Sequence, residues 1–552
     1  MIFSNELNTK IYQSFAIDIT ILLFTGIVFI TYQYEKNLSP WFFLLFVQMM
    51  LLWFALRMVY RFFPGCKMLV LTGLLLWGVV EAIWGFGQLY NYFPSEHVMY
   101  KTTGSFFNPG PYGGFIALMF PLALHFWIFY RYKNKLIGHL FLLVGIACLL
   151  VFPASLSRTA WIASIIGCGL VLFMDTQIVR KLKKFRTQHR KIFVRYTIFL
   201  CVLTVVTGYG AYYLKKDSAD GRLFMWKITM LAMTESPVKG VGLGGFPAAY
   251  AKAQMDYFKS EKASETEKKI AGSPEYAFNE YLRIFLEQGI FGGILFLLLT
   301  FLIIRNGVKN KHTAAAGSFL TLSFFAFASY PYYLWEFLVA WVLLGTICVS
   351  EANGFSQSKV NMSGKKGRII ISAIMFLAVL TAGSFIVKLQ IPFYQAKKEW
   401  KRLRPFYTMK VYASMVDEYK LLYPKLNYDP KFVFEYAVAL NAMEQHEEAD
   451  SVLSRGLQLS CDPMFYNVKG RNYHEMGEYD KAESCYINST WLLPERIYPY
   501  FLLTKLYADT VNYQPEKMRH AASAVLEKEP KVYSTAIMEM RDEVRKILKK
   551  RR

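Results

Sequence analysis

Two arginines stand where an apolar chain has little use for a charge. Arg158 opens an apolar run near 157–174, and Arg222 lies in a hydrophilic stretch, 215–280, that interrupts an otherwise apolar N-terminal region. An arginine beside an apolar helix is costly unless it faces protein, water or an anion. Trp226 follows Arg222 by one helical turn, and Gly240, Gly242, Gly244 and Gly245 come next. These glycines read as a flexible turn or as part of a substrate loop, since Gly-x-Gly alone is a poor phosphate signature. A further stretch, Gly104 to Gly114, holds Asn108, two prolines and four glycines. It breaks regular helix and frees backbone amides, so it is either an interfacial turn or a segment lining a cavity. The last stretch runs through Glu275, Phe278, Asn279, Glu280 and Leu282 to Gly289. Asp217, Asp220, Glu275 and Glu280 lack partner ligands at useful spacing, so neither a metal nor another cofactor is expected.

These residues must be held by helices. The chain has 552 residues, of which 54% are hydrophobic and 17% aromatic. Eleven apolar runs are expected to cross a membrane, near 15–33, 41–60, 68–90, 106–130, 136–153, 157–174, 196–214, 281–304, 314–330, 333–350 and 369–388. Lipid cannot satisfy the backbone of an open strand, so an all-α polytopic fold follows. The first run lacks a cleavage site and reads as an uncleaved span.

The net charge of +23 would point to nucleic acid in a soluble protein. With the N-terminus in the cytoplasm, however, the inward short loops carry 21 lysines and arginines. The outward ones carry only Lys36, Lys101 and Arg158. That is the positive-inside asymmetry, and no basic-aromatic surface is left over for nucleic acid. The stretch 215–280 and the C-terminal region are then expected outside the cytoplasm. Lys397, Lys398, Lys401, Arg402 and Arg404 strain the assignment, because they follow the last span on that outer side. Cys461 and Cys485 could pair in an oxidising compartment.

After Pro392 the composition turns charged and helical, which divides the chain into a membrane domain, 1–392, and a repeat domain, 393–552. Tyr466, Gly470, Tyr473, Ala482, Tyr486 and Pro494 fall at the spacing of a tetratricopeptide repeat. A looser copy precedes it (Val433, Ala437, Leu440, Ala449, Leu453, Pro463), and a weaker one follows from Tyr500. A TPR-like α-solenoid is expected, either a rigid cap or a platform for a protein partner. His446, His474 and His520 read as solvated.

Across about 70–350 the chain resembles the superfamily of O-antigen ligases, O-antigen polymerases and protein O-oligosaccharyltransferases. The resemblance rests on Glu81 to Gln88, the Gly-x-Phe-x-Asn-Pro of 104–109, Ser157-Arg158, Arg222 with Trp226, the glycines from 240, and Asn279 with Leu282 and Gly289. It implies a metal-independent glycosyltransferase that moves glycan from an undecaprenyl diphosphate carrier to an acceptor hydroxyl. The acceptor would be a lipid A-core glycan or a Ser/Thr of an exported protein. On that reading Arg158 and Arg222 hold the diphosphate, since arginine pairs with phosphate through a planar fork. Asn108, Gly242, Gly244 and Asn279 belong to the substrate cavity or loop. The family carries a histidine before the asparagine of the last stretch, where this chain has Phe278. Glu275 and Glu280 flank it, and either could take the acceptor proton; His97 is a further source of an imidazole. A glycan polymerase, or a docking scaffold that has lost catalysis, are the alternatives.

Overall fold

The computed structural model describes residues 2–34, 40–199, 202, 213, 216–351, 362–530 and 533–551, and among them every regular element is helical. The membrane part contains α1 (Ile2–Tyr34), α2 (Pro40–Phe62), α3 (Cys66–Leu89), α4 (Pro109–Tyr130), α5 (Lys135–Val151), α6 (Arg158–Met174) and α7 (Thr176–Gln188). The hydrophilic stretch folds as α8 (Lys216–Met233), α9 (Phe246–Lys259) and α10 (Glu265–Ile270). The chain returns to the bundle in α11 (Glu280–Lys309), α12 (Thr313–Phe327), α13 (Trp335–Val349) and α14 (Met362–Thr408).

Six helices are long and apolar enough to cross a membrane: α2, α3, α4, Lys135–Ser155, α11 and Phe376–Thr408 within α14. Ala16–Tyr32, α12 and α13 are apolar but shorter, and α6 meets α7 at a bend of 85°. Ten of the expected runs fall on these helices, six of them at full spanning length. The run at 196–214 lies almost wholly outside the described residues.

α4 is the centre of the bundle, with two-thirds of its apolar window enclosed (67%). α6 and α12 pack on it and on each other. Lipid gives no hydrophobic drive between helices, so close backbone approach matters more than it does in water. A Cβ on Gly167 would lie 1.9 Å from Thr321 Oγ1 and 2.6 Å from the Gly317 carbonyl, which makes this crossing a place for glycine. Polar ties join the outer helices: Asp18 of α1 accepts from Arg57 of α2 at 3.1 Å and from Trp53 Nε1 at 3.2 Å.

α14 continues unbroken past Pro392 into the C-terminal helices. Its end is fixed by Glu435, a buried carboxylate that accepts from Trp400 Nε1 (2.7 Å), Tyr419 Oη (2.9 Å) and Arg404 Nε (3.1 Å). After α15 (Val416–Leu426) come three helix pairs: α16 (Pro430–Ala442) with α17 (His446–Leu457), α18 (Met464–Glu475) with α19 (Tyr479–Leu492), and α20 (Ile497–Ala508) with α21 (Pro515–Glu527). The pairs begin 34 and 33 residues apart. Gly470 lets α18 meet α19, because a Cβ there would stand 2.5 Å from the Tyr486 ring. The last helix, α22 (Thr535–Lys550), packs its apolar side on this stack.

Two minor expectations fail here. His446 bonds Asn472 at 2.8 Å and His474 pairs with Asp509 at 3.2 Å, so these rings brace neighbouring helices instead of facing solvent. Cys461 and Cys485 are separate buried thiols.

Candidate functional site

One end of the bundle gathers the segments singled out from the sequence. α3 ends there and α4 and α6 begin there. The connection 328–334 turns over it, and α8–α10 cover it. Glu81 and Gln88 of α3 hold the glycine-rich approach to α4. The Glu81 carboxylate accepts from the Ser105 amide (3.0 Å) and hydroxyl (2.7 Å), and Gln88 Oε1 accepts from the Thr103 and Gly104 amides, both at 2.8 Å. Asn108 caps α4 by accepting from the Gly110 amide at 2.9 Å. Asn279 caps α11 by accepting from the Leu282 amide at 3.1 Å. Both asparagines thus set helix starts, and neither lines the cavity described below.

Gly240 and Gly242 have a definite structural task. α11 breaks at Gly289, whose φ is +67° and ψ −176°. A break inside an apolar helix frees backbone groups that lipid cannot satisfy. Here the Leu286 and Glu287 carbonyls accept from the Val241 (2.9 Å) and Gly242 (3.0 Å) amides, and the Ile290 amide donates to the Pro237 carbonyl (2.8 Å). Gly240 (φ +74°) and Gly289 lie so close that a Cβ on Gly289 would sit 2.0 Å from the Val238 carbonyl oxygen. The glycines form a rigid splice between loop and span instead of a flexible turn. Gly244, also at positive φ, turns the chain into α9.

Arg222 lies on α8, half-buried, over the mouth of the bundle. Its Nη1 donates to the Ala328 carbonyl at 3.0 Å and reaches Thr159 Oγ1, next to Arg158, at 3.5 Å. The guanidinium stands 5.1 Å from the centre of the Phe278 ring. Burial, and then the like charge of Arg158, push its pKa down. Arg158 occupies the first turn of α6, where helix amides also favour an anion. The two arginines expected to act together are therefore neighbours.

Phe278 is not on α11 but two residues before it, with φ +48°. This left-handed conformation is uncommon for a bulky residue, and it turns the ring beneath Arg222 and edge-on to Tyr330 at 5.0 Å. Tyr330 stacks on Tyr276 at 4.4 Å. Burial and Glu275 push the Tyr276 phenol up to about 12. Arg222, Phe278, Tyr250, Ser218, Ser273 and Pro274 are among the walls of a cavity of about 340 Å³.

The two candidate bases have different surroundings. Glu275 is exposed beside Tyr276. Glu280 is 1% exposed; it accepts from Arg283 Nε at 2.6 Å and from the Tyr332 amide at 3.0 Å. Arg283 also donates to Glu287 at 2.7 Å and lies 4.6 Å from the centre of the Tyr333 ring. Glu280 thus belongs to a buried Glu-Arg-Glu cluster; neither it nor Glu275 is among the residues lining the cavity. Arg283 does not stand out in the sequence, although Glu-x-x-Arg-x-x-x-Glu is the spacing that puts three charges on one helix face. His97 is engaged within its own loop, where Nδ1 accepts from the Met99 amide at 3.0 Å.

Residues 147–297 match the family described as O-antigen ligase. The matched stretch contains Arg158, Arg222, the glycine splice and the break in α11. A protein of Rickettsia felis named "Putative polysaccharide ligase" is 28% identical over 136 residues, 24% of this chain and 31% of that protein. A Rickettsia conorii protein of the same kind is 29% identical over 136 residues. An uncharacterized protein of Haemophilus influenzae is 25% identical over 208 residues, 35% of this chain and 48% of that one. The chain thus spans between about a third and a half of the curated relatives it matches. Over this stretch the family match and the ligase names make the chain similar to the ligase superfamily.

Proposed function

We propose that this chain is a membrane glycosyltransferase of the ligase type. It moves oligo- or polysaccharide from a polyprenyl diphosphate carrier to an acceptor hydroxyl at the periplasmic end of the bundle. The observation that carries the reading is the pairing of Arg222 with Arg158 beside a cavity, at the point where spans meet the loop. Two guanidinium groups side by side at the mouth of a cavity offer planar, charge-assisted hydrogen bonds of the kind a diphosphate takes up. A polyprenyl diphosphate brings that anion at membrane depth.

In the reaction the acceptor oxygen attacks the anomeric carbon, and the bond from that carbon to the diphosphate oxygen breaks. The leaving diphosphate takes the electron pair, and its growing charge is met by Arg222 and Arg158. The acceptor proton passes to the carboxylate of Glu275, exposed beside Tyr276 and next in sequence to Pro274 of the cavity wall. A single displacement of this kind inverts the anomeric centre. The acceptor is a lipid A-core glycan or a Ser/Thr of an exported protein, and the C-terminal helix pairs, read as TPR-like repeats, would receive a protein partner.

The test is to replace Arg158 and Arg222 separately with alanine in cells that make a surface glycan. Each change is expected to lower transfer by about 10²–10³-fold. Unchanged transfer in both variants, at normal protein levels, would overturn the reading. Loss that leaves single repeat units attached would reassign the chain as a polymerase; ligase loss leaves none attached.

A further inference from the structure

Gln254 is a fully buried amide on α9, 0% exposed. Its Nε2 donates to the Leu492 carbonyl at the end of α19 (2.7 Å) and to the Gly272 carbonyl (3.1 Å). One side-chain nitrogen therefore joins the C-terminal helix pairs to the segment that leads into Glu275 and Phe278. A second tie runs beside it, from Cys461 Sγ to the Pro274 carbonyl at 3.1 Å. Phe224, Tyr250, Ala277, Cys461, Leu492 and Leu493 close one hydrophobic core around both.

Residues 271–278 form no helix, so their place depends on what grips their carbonyls. Gly272, Ser273 and Pro274 line the Arg222 cavity, and two of the three are held from outside the membrane part. Ordinary adhesion between domains would bury apolar side chains and leave the cavity wall to itself. Here the donors from α9 and the C-terminal helices end on the cavity wall. Arg222, by contrast, is fixed from α8 to the Ala328 carbonyl, with Thr159 and Phe278 as further described neighbours.

We infer that the C-terminal helix pairs are a working part of the acceptor side of the cavity, and that Gln254 is the positioning residue that ties their placement to residues 272–278. The inference rests on the glycan-transfer reading of the cavity. It separates two roles: the arginines bind donor independently of the repeats, while the acceptor side is held by them. A displacement of about 1 Å at a reacting centre costs up to about 10²-fold in rate.

The test uses the purified full-length chain in lipid nanodiscs, with carrier-linked glycan as donor. Gln254→Met keeps the length and burial of the side chain and removes both donated bonds. The expected result is a kcat about tenfold lower with the donor KM unchanged, and faster amide exchange at 271–278 but not at 216–233. Parent-like kcat, or a rise in donor KM matching the loss, would overturn the inference. Should Gln254→Met fail to accumulate, Cys461→Ala and Cys461→Ser replace it. Serine keeps a donor for the Pro274 carbonyl and alanine does not, so alanine alone should speed exchange at 271–278; equal behaviour would overturn the inference. Exchange needs no transfer assay. If Arg158→Ala and Arg222→Ala both retain full transfer, the transferase reading falls; if exchange at 271–278 is unmoved, the tie falls whatever the arginines do.

Discussion

Glu275 and Glu280 are five residues apart and face opposite physical situations, so their replacement separates chemistry from scaffolding. Glu275→Gln leaves an exposed side chain of the same size and removes only the capacity to take a proton. Transfer is expected to fall by about 10²–10⁴-fold at normal protein levels, measured as glycan attached per molecule of enzyme. Glu280→Gln leaves Arg283 buried with half its compensation. Breaking a buried pair by removing one partner costs about 3–5 kcal/mol. The expected outcome is low protein level and a lower Tm, with near-parent transfer per folded molecule. The reverse pattern would make Glu280 the base. Arg158 and Arg222 were legible in the sequence because a charge beside an apolar run is an exception that asks for a reason. Arg283 was not legible, because a charge in the first turn of a span looks like an ordinary span end. Only the structure shows that its helix start is roofed by Tyr332 and Tyr333.

At the scale of elements, the break in α11 is the feature on which the site is built. The splice fixes the loop to the span through three backbone bonds, and both α8 and the 271–278 segment hang from that loop. Gly289→Ala should therefore be severely destabilising. The positive-φ, extended backbone at Gly289 is essentially restricted to glycine and alone costs about 1–3 kcal/mol for another residue, before the added carbon meets the Val238 carbonyl at 2.0 Å. Gly221→Ala is the control: a Cβ there meets nothing within 4 Å on a regular helix. It should leave Tm unchanged or raise it, since alanine is the better helix former by about 1 kcal/mol. A fluorescence-monitored melt of both variants in detergent distinguishes them, and similar Tm values would contradict the splice. Apolar periodicity revealed the helices, and the glycines revealed that something irregular lay at 240–245 and 289. Their reciprocal pairing was hidden, because backbone partners 45 to 53 residues apart leave no mark on side-chain pattern.

For the whole molecule, contact between α9 and the C-terminal helices fixes a relation that charge counting left under strain. Two surfaces joined by buried bonds from Gln254 and Cys461 must lie on the same side of the bilayer. Lys397 pairs with Asp429, Arg402 with Glu399 and Arg404 with Glu435, and such pairs add little stability. The positive-inside rule weighs lysines and arginines of short loops, whereas a long domain crosses largely regardless of its charge. The opposite face is marked by the far end of α6, where α7 turns away at 85° with its lysines and arginines exposed. Single cysteines at Lys262 in the loop and Arg519 in the repeats should therefore react together with a membrane-impermeant maleimide applied from one side. A cysteine at Lys183 on α7 should react only from the other, each compared with the parent chain. Labelling of Lys262 and Arg519 from opposite sides would separate the repeats from the loop and remove the basis for their joint role. Labelling of both from the periplasm, with Lys183 protected until the cells are permeabilised, would put the arginine pair on the face where a carrier-linked glycan meets its acceptor.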